Sequence, residues 1–171
     1  NGLGGVTTGA LMDENWSWAY GPEGTNNWQL MAMSGGSTPM SFGSTAIGVP
    51  NAGKQYGYER SYVQLPQITI PWNGFAELRF DTLVSNELAN GYDTETIEYS
   101  FDGNQWETLL DPMSFYEQTQ LGVWQKLSVP LPKDESSPDA PTHLMIRFVY
   151  DTVDDCCGPT DVVGWYLDNI I

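Results

Sequence analysis

An all-β fold, an antiparallel β-sandwich of the jelly-roll type, is what this sequence predicts, and three observations predict it. Eighteen Gly and eleven Pro interrupt the 171 residues at short intervals. No segment sustains apolar positions at helical spacing, whereas period-two alternation recurs along the chain. The apolar runs are short, rich in β-branched and aromatic residues, and separated by turn residues, a pattern of sandwiches and not of parallel sheets with helical crossovers.

The alternation is clearest over residues 76–84, where Ala76, Leu78, Phe80 and Val84 share one face and Glu77, Arg79 and Asp81 the other. Residues 96–101 repeat it with Ile97, Tyr99 and Phe101 inward. Asp102-Gly103-Asn104 then turns the chain toward Trp106 and Leu109, giving a hairpin. Further strands are predicted at 28–33, 61–65, 67–70, 125–131, 144–150 and 164–171, with candidate loops at 21–27, 34–56, 85–93, 111–122, 133–142 and 151–163. The length fits one domain spanning residues 1–171.

Twenty-two Asp and Glu against six Lys and Arg leave a formal net charge of −16. Affinity for nucleic acid comes from basic side chains neutralising phosphates, so nucleic acid and anionic membrane surfaces are excluded as partners. No run approaches the roughly 18 apolar residues of a membrane span, so no membrane insertion is expected. The acidic surplus invites cations, calcium in particular, which takes carboxylate and carbonyl oxygens in irregular geometry. Cys156 and Cys157 are adjacent and cannot staple distant segments; they form a small vicinal disulfide ring or remain free thiols.

Three stretches, in order, carry a family resemblance. They are Leu65-Pro66-Gln67-Ile68 with Ala76-Glu77-Leu78-Arg79-Phe80; Glu87, Tyr92-Asp93 and Ile97-Glu98-Tyr99-Ser100-Phe101-Asp102-Gly103 closed by Trp106; and Ile146-Arg147-Phe148 with Gly164-Trp165-Tyr166-Leu167-Asp168-Asn169-Ile170. This order resembles the jelly-roll modules grouped around meprin-type (MAM) domains, the cleaved-adhesin domains of bacterial surface proteins, and the accessory module of immune inhibitor A type metallopeptidases. The resemblance covers residues 65–171 well and the first third loosely, and the Asp154-Asp155-Cys156-Cys157-Gly158-Pro159 segment departs from it.

The resemblance implies a secreted or cell-surface module with structural calcium that serves adhesion or carbohydrate binding, or that flanks a catalytic domain. It points to a calcium site joining the first strand with the last, for which Asp13, Glu14 and Asp168 are candidates here, with Asp93 as a further one. Asp168 is the strongest, because a carboxylate in an apolar strand is costly to bury without a cation or hydrogen bonds.

Seven Trp and nine Tyr exceed what the core requires, and stacking on sugar rings is the use that surplus suggests. Trp106 and Trp165 lie in strand patterns and are expected in the core. Trp16, Trp18, Trp28, Tyr56, Tyr58, Trp72, Tyr116 and Trp124 lie in or beside loops, where large aromatics are more often functional. The preferred glycan platform is Tyr56-Gly57-Tyr58-Glu59-Arg60, with Tyr56, Tyr58 and Arg60 as contacts, helped by Trp28 and Trp124. A vicinal disulfide at Cys156-Cys157 would add a flat apolar contact.

Catalysis finds little support. His143 is the single histidine, no nucleophile elbow accompanies it, and no Gly-rich loop leads a strand into a helix. The expectation is a non-catalytic, calcium-stabilised binding module for polysaccharide or another glycan. The alternative is a protein-binding adhesion module or an accessory domain of a secreted peptidase. A groove lined by aromatics and acids favours sugar; a large flat apolar patch favours protein.

Overall fold

A computed structural model describes residues 17–19, 29–32, 45–50, 59–85, 93–111, 114, 122–152 and 164–171. The strands among the described residues are β1 Ser17–Ala19, β2 Gln29–Ala32, β3 Thr45–Pro50, β4 Glu59–Gln64, β5 Ile68–Ile70, β6 Glu77–Ser85, β7 Asp93–Ser100, β8 Glu107–Leu110, β9 Gln125–Pro130, β10 Thr142–Thr152 and β11 Gly164–Asp168. They form two sheets. One runs β1-β4-β10-β7-β8, with β5 pairing the start of β10; the other runs β2-β3-β11-β6-β9. Every pairing is antiparallel, and most neighbours in space are distant in sequence, as in a jelly roll.

Alternation places one face of each sheet in a shared core. Leu78, Phe80 and Val84 of β6, Leu127 and Val129 of β9, and Trp165 and Leu167 of β11 meet Val63, Ile97, Leu144, Ile146, Phe148 and Tyr150 from the facing sheet. Phe148 links the layers. Its ring lies edge-on to Phe80 at 5.3 Å and to Trp165 at 5.9 Å. The buried Trp165 indole N–H donates to Thr82 Oγ1 at 2.9 Å, and that hydroxyl donates to the Tyr166 carbonyl, so both of these buried side-chain groups are paired.

The structure shows the expected all-β sandwich and the β7–β8 hairpin, and it corrects several details. A six-residue strand, β3, occupies part of the expected 34–56 loop, and β1 was not anticipated. The Thr-Ala-Ile-Gly-Val-Pro run of β3 is short and holds Gly and Pro, which masks a strand pattern. Asp93 opens β7 opposite Thr152, and Asp151 lies inside β10, so neither is a loop residue. The last strand ends at Asp168, where Asn169 turns the backbone left-handed at φ 49°. Trp106, expected in the core, is half-buried on the outer face of the first sheet, where Arg147 holds its ring. Asp81 takes the face opposite Leu78 and Phe80, as the alternation predicts, and is buried there.

The register defines two ends of the sandwich. At one, Ile70 pairs with Thr142, Met145 with Ser100, and Glu77 with Pro130. The connections 71–76, 101–106 and 131–141 therefore gather there. At the other end β4, β7 and β10 meet at Glu59, Asp93 and Thr152, and β3, β6 and β11 at Pro50, Ser85 and Gly164.

Candidate functional site

At the first of these ends, the Asp102-Gly103-Asn104 turn is built by its own side chains. Asp102 Oδ1 accepts the backbone N–H groups of Asn104 at 2.8 Å and Gln105 at 2.9 Å, and Ser100 Oγ donates to the same oxygen. These donors hold the Asp102 carboxyl below the usual aspartate range. Gly103 takes φ 77°, where a side chain would be strained, and its N–H donates to Ser100 Oγ at 2.8 Å. The turn is thereby fixed with its carboxylate ionised.

Tyr99 and Phe101 leave β7 on one face with their rings edge-to-face at 5.3 Å. Across the hairpin Glu107 stands opposite Tyr99, and the phenol O–H donates to Glu107 Oε2 at 2.6 Å, which raises the tyrosine's own pKa. From the β9–β10 connection, Asp134 Oδ1 accepts the backbone N–H and the hydroxyl of Ser136 at 2.9 and 2.6 Å. Together these groups border a cleft of about 200 Å³ lined by Tyr99, Phe101, Asp102, Gln105, Glu107, Asp134 and Ser136, with Tyr99 and Phe101 also packed against the core. No Lys or Arg lines it. Such a wall pairs apolar ring surface with acceptors and an amide for a hydroxyl-rich guest.

The same end carries the turn between β5 and β6. Gly74 N–H donates to the Pro71 carbonyl at 2.9 Å, and Leu131 N–H to the Ala76 carbonyl at 2.9 Å. The Lys133 ammonium donates to the Trp72 carbonyl. Trp72 is 57 % exposed and Phe75 87 %.

On the outer face of the first sheet, the Arg147 guanidinium lies 4.8 Å from the Tyr62 ring centroid and 4.0 Å from that of Trp106. It also pairs with Glu98 Oε2, from Nε at 2.6 Å and from a terminal nitrogen at 2.5 Å. Its charge is thus held from two sides and neutralised by a third group.

On the outer face of the second sheet, Asp168 stands opposite Asp81, and both are buried. Asn169 bridges the pair: its backbone N–H donates to Asp168 Oδ1 at 2.8 Å and its side-chain amide to Asp81 Oδ2 at 2.8 Å. Lys126 Nζ lies 3.9 Å from Asp81 Oδ1. Asp168 Oδ2 is enclosed without a hydrogen-bond partner. Burial, with the Asp81 charge adding, pushes the Asp168 carboxyl above the usual aspartate range. Two buried carboxylates with an orphaned oxygen suit a hard divalent cation. Among the described residues no group of three or more His, Cys, Asp or Glu side chains forms around one point.

Of the residues singled out in the sequence, Asp168 holds the predicted position in the last strand, and Asp81, not among the predicted ligands, joins it from the neighbouring strand. Asp13, Glu14, Trp28, Tyr56, Tyr58, Cys156 and Cys157 lie outside the described residues. Arg60 lies in β4 at the register position opposite Asp151. Trp124, just ahead of β9, is half-buried with its indole N–H enclosed and unpartnered, and it does not line the cleft. Asp93 sits at the far end of β7 from Tyr99. Tyr99 and Phe101 pack against the core, as the alternation predicts, and they also border a cleft that the sequence does not reveal, although the Asp-Gly-Asn turn stands beside it.

No protein-family model matches the chain, and no curated protein matches it. Solved structures do. The K1 cleaved adhesin domain of Lys-gingipain from Porphyromonas gingivalis W83 aligns at 14 % identity with a TM-score of 0.54, covering 99 % of this chain and 94 % of that one. The K3 domain of the same protein aligns at 16 % identity and TM-score 0.52, covering 99 % and 92 %. The K2 domain aligns at 14 % and 0.50, covering 91 % and 88 %. The chain shares the adhesin-like β-sandwich fold of these domains.

Proposed function

We propose that the protein is a non-catalytic, calcium-stabilised extracellular module that binds carbohydrate in the cleft between the β7–β8 hairpin and the β9–β10 connection. The observation that carries this is the cleft's lining: two aromatic residues, Tyr99 and Phe101, beside Glu107, Asp102, Asp134, Gln105 and Ser136. Carbohydrate offers apolar C–H faces and outward hydroxyls, and this arrangement meets both. The fold likeness to cleaved adhesin domains supports a secreted or cell-surface setting. Calcium is assigned to Asp168 and Asp81, supported by their buried opposition and the orphaned oxygen; there it would neutralise two like charges and fix the end of β11.

Affinity electrophoresis through gels containing neutral and acidic polysaccharides tests the reading. Retardation by a neutral polysaccharide, weakened in Glu107→Ala and in Tyr99→Phe, is the expected result. Equal mobility in every gel would remove carbohydrate and leave a protein ligand as the function to pursue.

A further inference from the structure

From the exposed turn beside the cleft we infer that the ligand is a neutral polysaccharide chain spanning several sugar units, held at one end in the cleft and stacked farther along on Trp72 and Phe75. This rests on the carbohydrate reading and extends it to a second contact region.

Trp72 and Phe75 are the exposed aromatic residues among the described side chains, and both stand on one turn. Scattered surface aromatics need no explanation, but two large exposed aromatic side chains three residues apart on one turn offer apolar surface for binding. The turn presents them on a fixed frame. Pro71 restricts the backbone, the Gly74 N–H to Pro71 carbonyl bond closes the turn, and Lys133 ties the Trp72 carbonyl to the β9–β10 connection. Little ordering entropy is then lost when a ligand docks.

The turn is tied to the segment that borders the cleft. Lys133 anchors it, and the next residue, Asp134, lines the cleft. The cleft itself, about 200 Å³, is smaller than the several hundred Å³ of pockets that enclose a whole ligand. A guest seated there projects beyond it, and the aromatic turn lies at the same end of the sandwich. Three carboxylates in the lining repel uronates and sulfated sugars, so the chain is neutral.

Titration calorimetry with β-1,4-linked gluco- and xylo-oligosaccharides of two to six units, on wild type, Trp72→Ala, Phe75→Ala and Glu107→Ala, tests this. Wild-type affinity should rise with chain length. Both aromatic variants should lose about tenfold for the longest oligomer, the usual cost of truncating an important contact, while the disaccharide is unaffected. Glu107→Ala should weaken every length. The exposure of Trp72 and Phe75 makes both substitutions compatible with folding, which unchanged thermal unfolding verifies. Aromatic variants that track wild type at every length, while Glu107→Ala still weakens binding, would overturn the extended site and leave the cleft standing. Loss of binding to phosphatidylcholine vesicles in Trp72→Ala, without a change for oligosaccharides, would also overturn it. If wild type takes no oligosaccharide, the extended site and the carbohydrate reading fall together.

Discussion

Asp168 faces Asp81 across neighbouring strands, both carboxylates are buried, and Asn169 donates one hydrogen bond to each. Like charges directly opposite on a sheet destabilise it. The single amide bridge leaves Asp168 Oδ2 without a partner, so this pair is the point where a cation has most to offer.

Calcium should therefore raise the melting temperature. At about a hundredfold excess over its dissociation constant a ligand adds about 2.7 kcal/mol, which for a chain of this size corresponds to roughly 5–10 °C. Differential scanning fluorimetry with calcium and with chelator measures it. Asp168→Asn should abolish the calcium response and, in chelator, melt no lower than wild type, because it removes one member of a repelling pair. A calcium response that survives in Asp168→Asn would place the ion elsewhere.

The hairpin turn carries a pH dependence of its own. Backbone donors lower the Asp102 pKa in the folded chain relative to its ordinary value of 3.8. A lowered carboxylate stabilises the fold fully above the unfolded value, and that contribution is lost as pH falls through the folded one. The melting-temperature gap between wild type and Asp102→Asn should be present at neutral pH and close as pH drops below about 3.8. A gap that widens on acidification would refute the assignment.

Phe148 is the cross-sheet contact of the core, touching both Phe80 and Trp165. Truncating a buried Phe costs about 3–5 kcal/mol. Chemical unfolding of Phe148→Ala should show a loss of that size, whereas Phe75→Ala, at a residue 87 % exposed, should change stability by less than about 0.5 kcal/mol.

Much of this was legible in the sequence, for identifiable reasons. Leu78, Phe80 and Val84 announced their strand because one face is buried and period two follows from the pleat. The last strand was legible through Trp165 and Leu167. Asp81 was not: alternation assigns a face, and it does not say whether that face is covered. Trp106 misled for a related reason, since its ring lies beside a strand but finds Arg147 on the outer face and not the core. The cleft joins residues 99–107 to 134–136, segments the local pattern treats separately and only the β7–β10 register brings together.

Arg147 binds a sheet face together through Tyr62, Trp106 and Glu98. Arg147→Ala leaves a largely buried carboxylate without its partner and should cost about 2–3 kcal/mol in chemical unfolding. Arg147→Lys should recover only part of this, because an ammonium cannot span two rings and a carboxylate as the planar guanidinium does. Full rescue by lysine would reduce the residue's role to its charge.

The most direct measurement is the retardation of wild type and Glu107→Ala on a neutral polysaccharide, run beside a Tyr56→Ala, Tyr58→Ala double variant. The cleft account predicts that Glu107→Ala loses retardation while the double tyrosine variant keeps it. Retardation lost in the tyrosine variant and intact in Glu107→Ala would contradict it and move the sugar site away from the cleft.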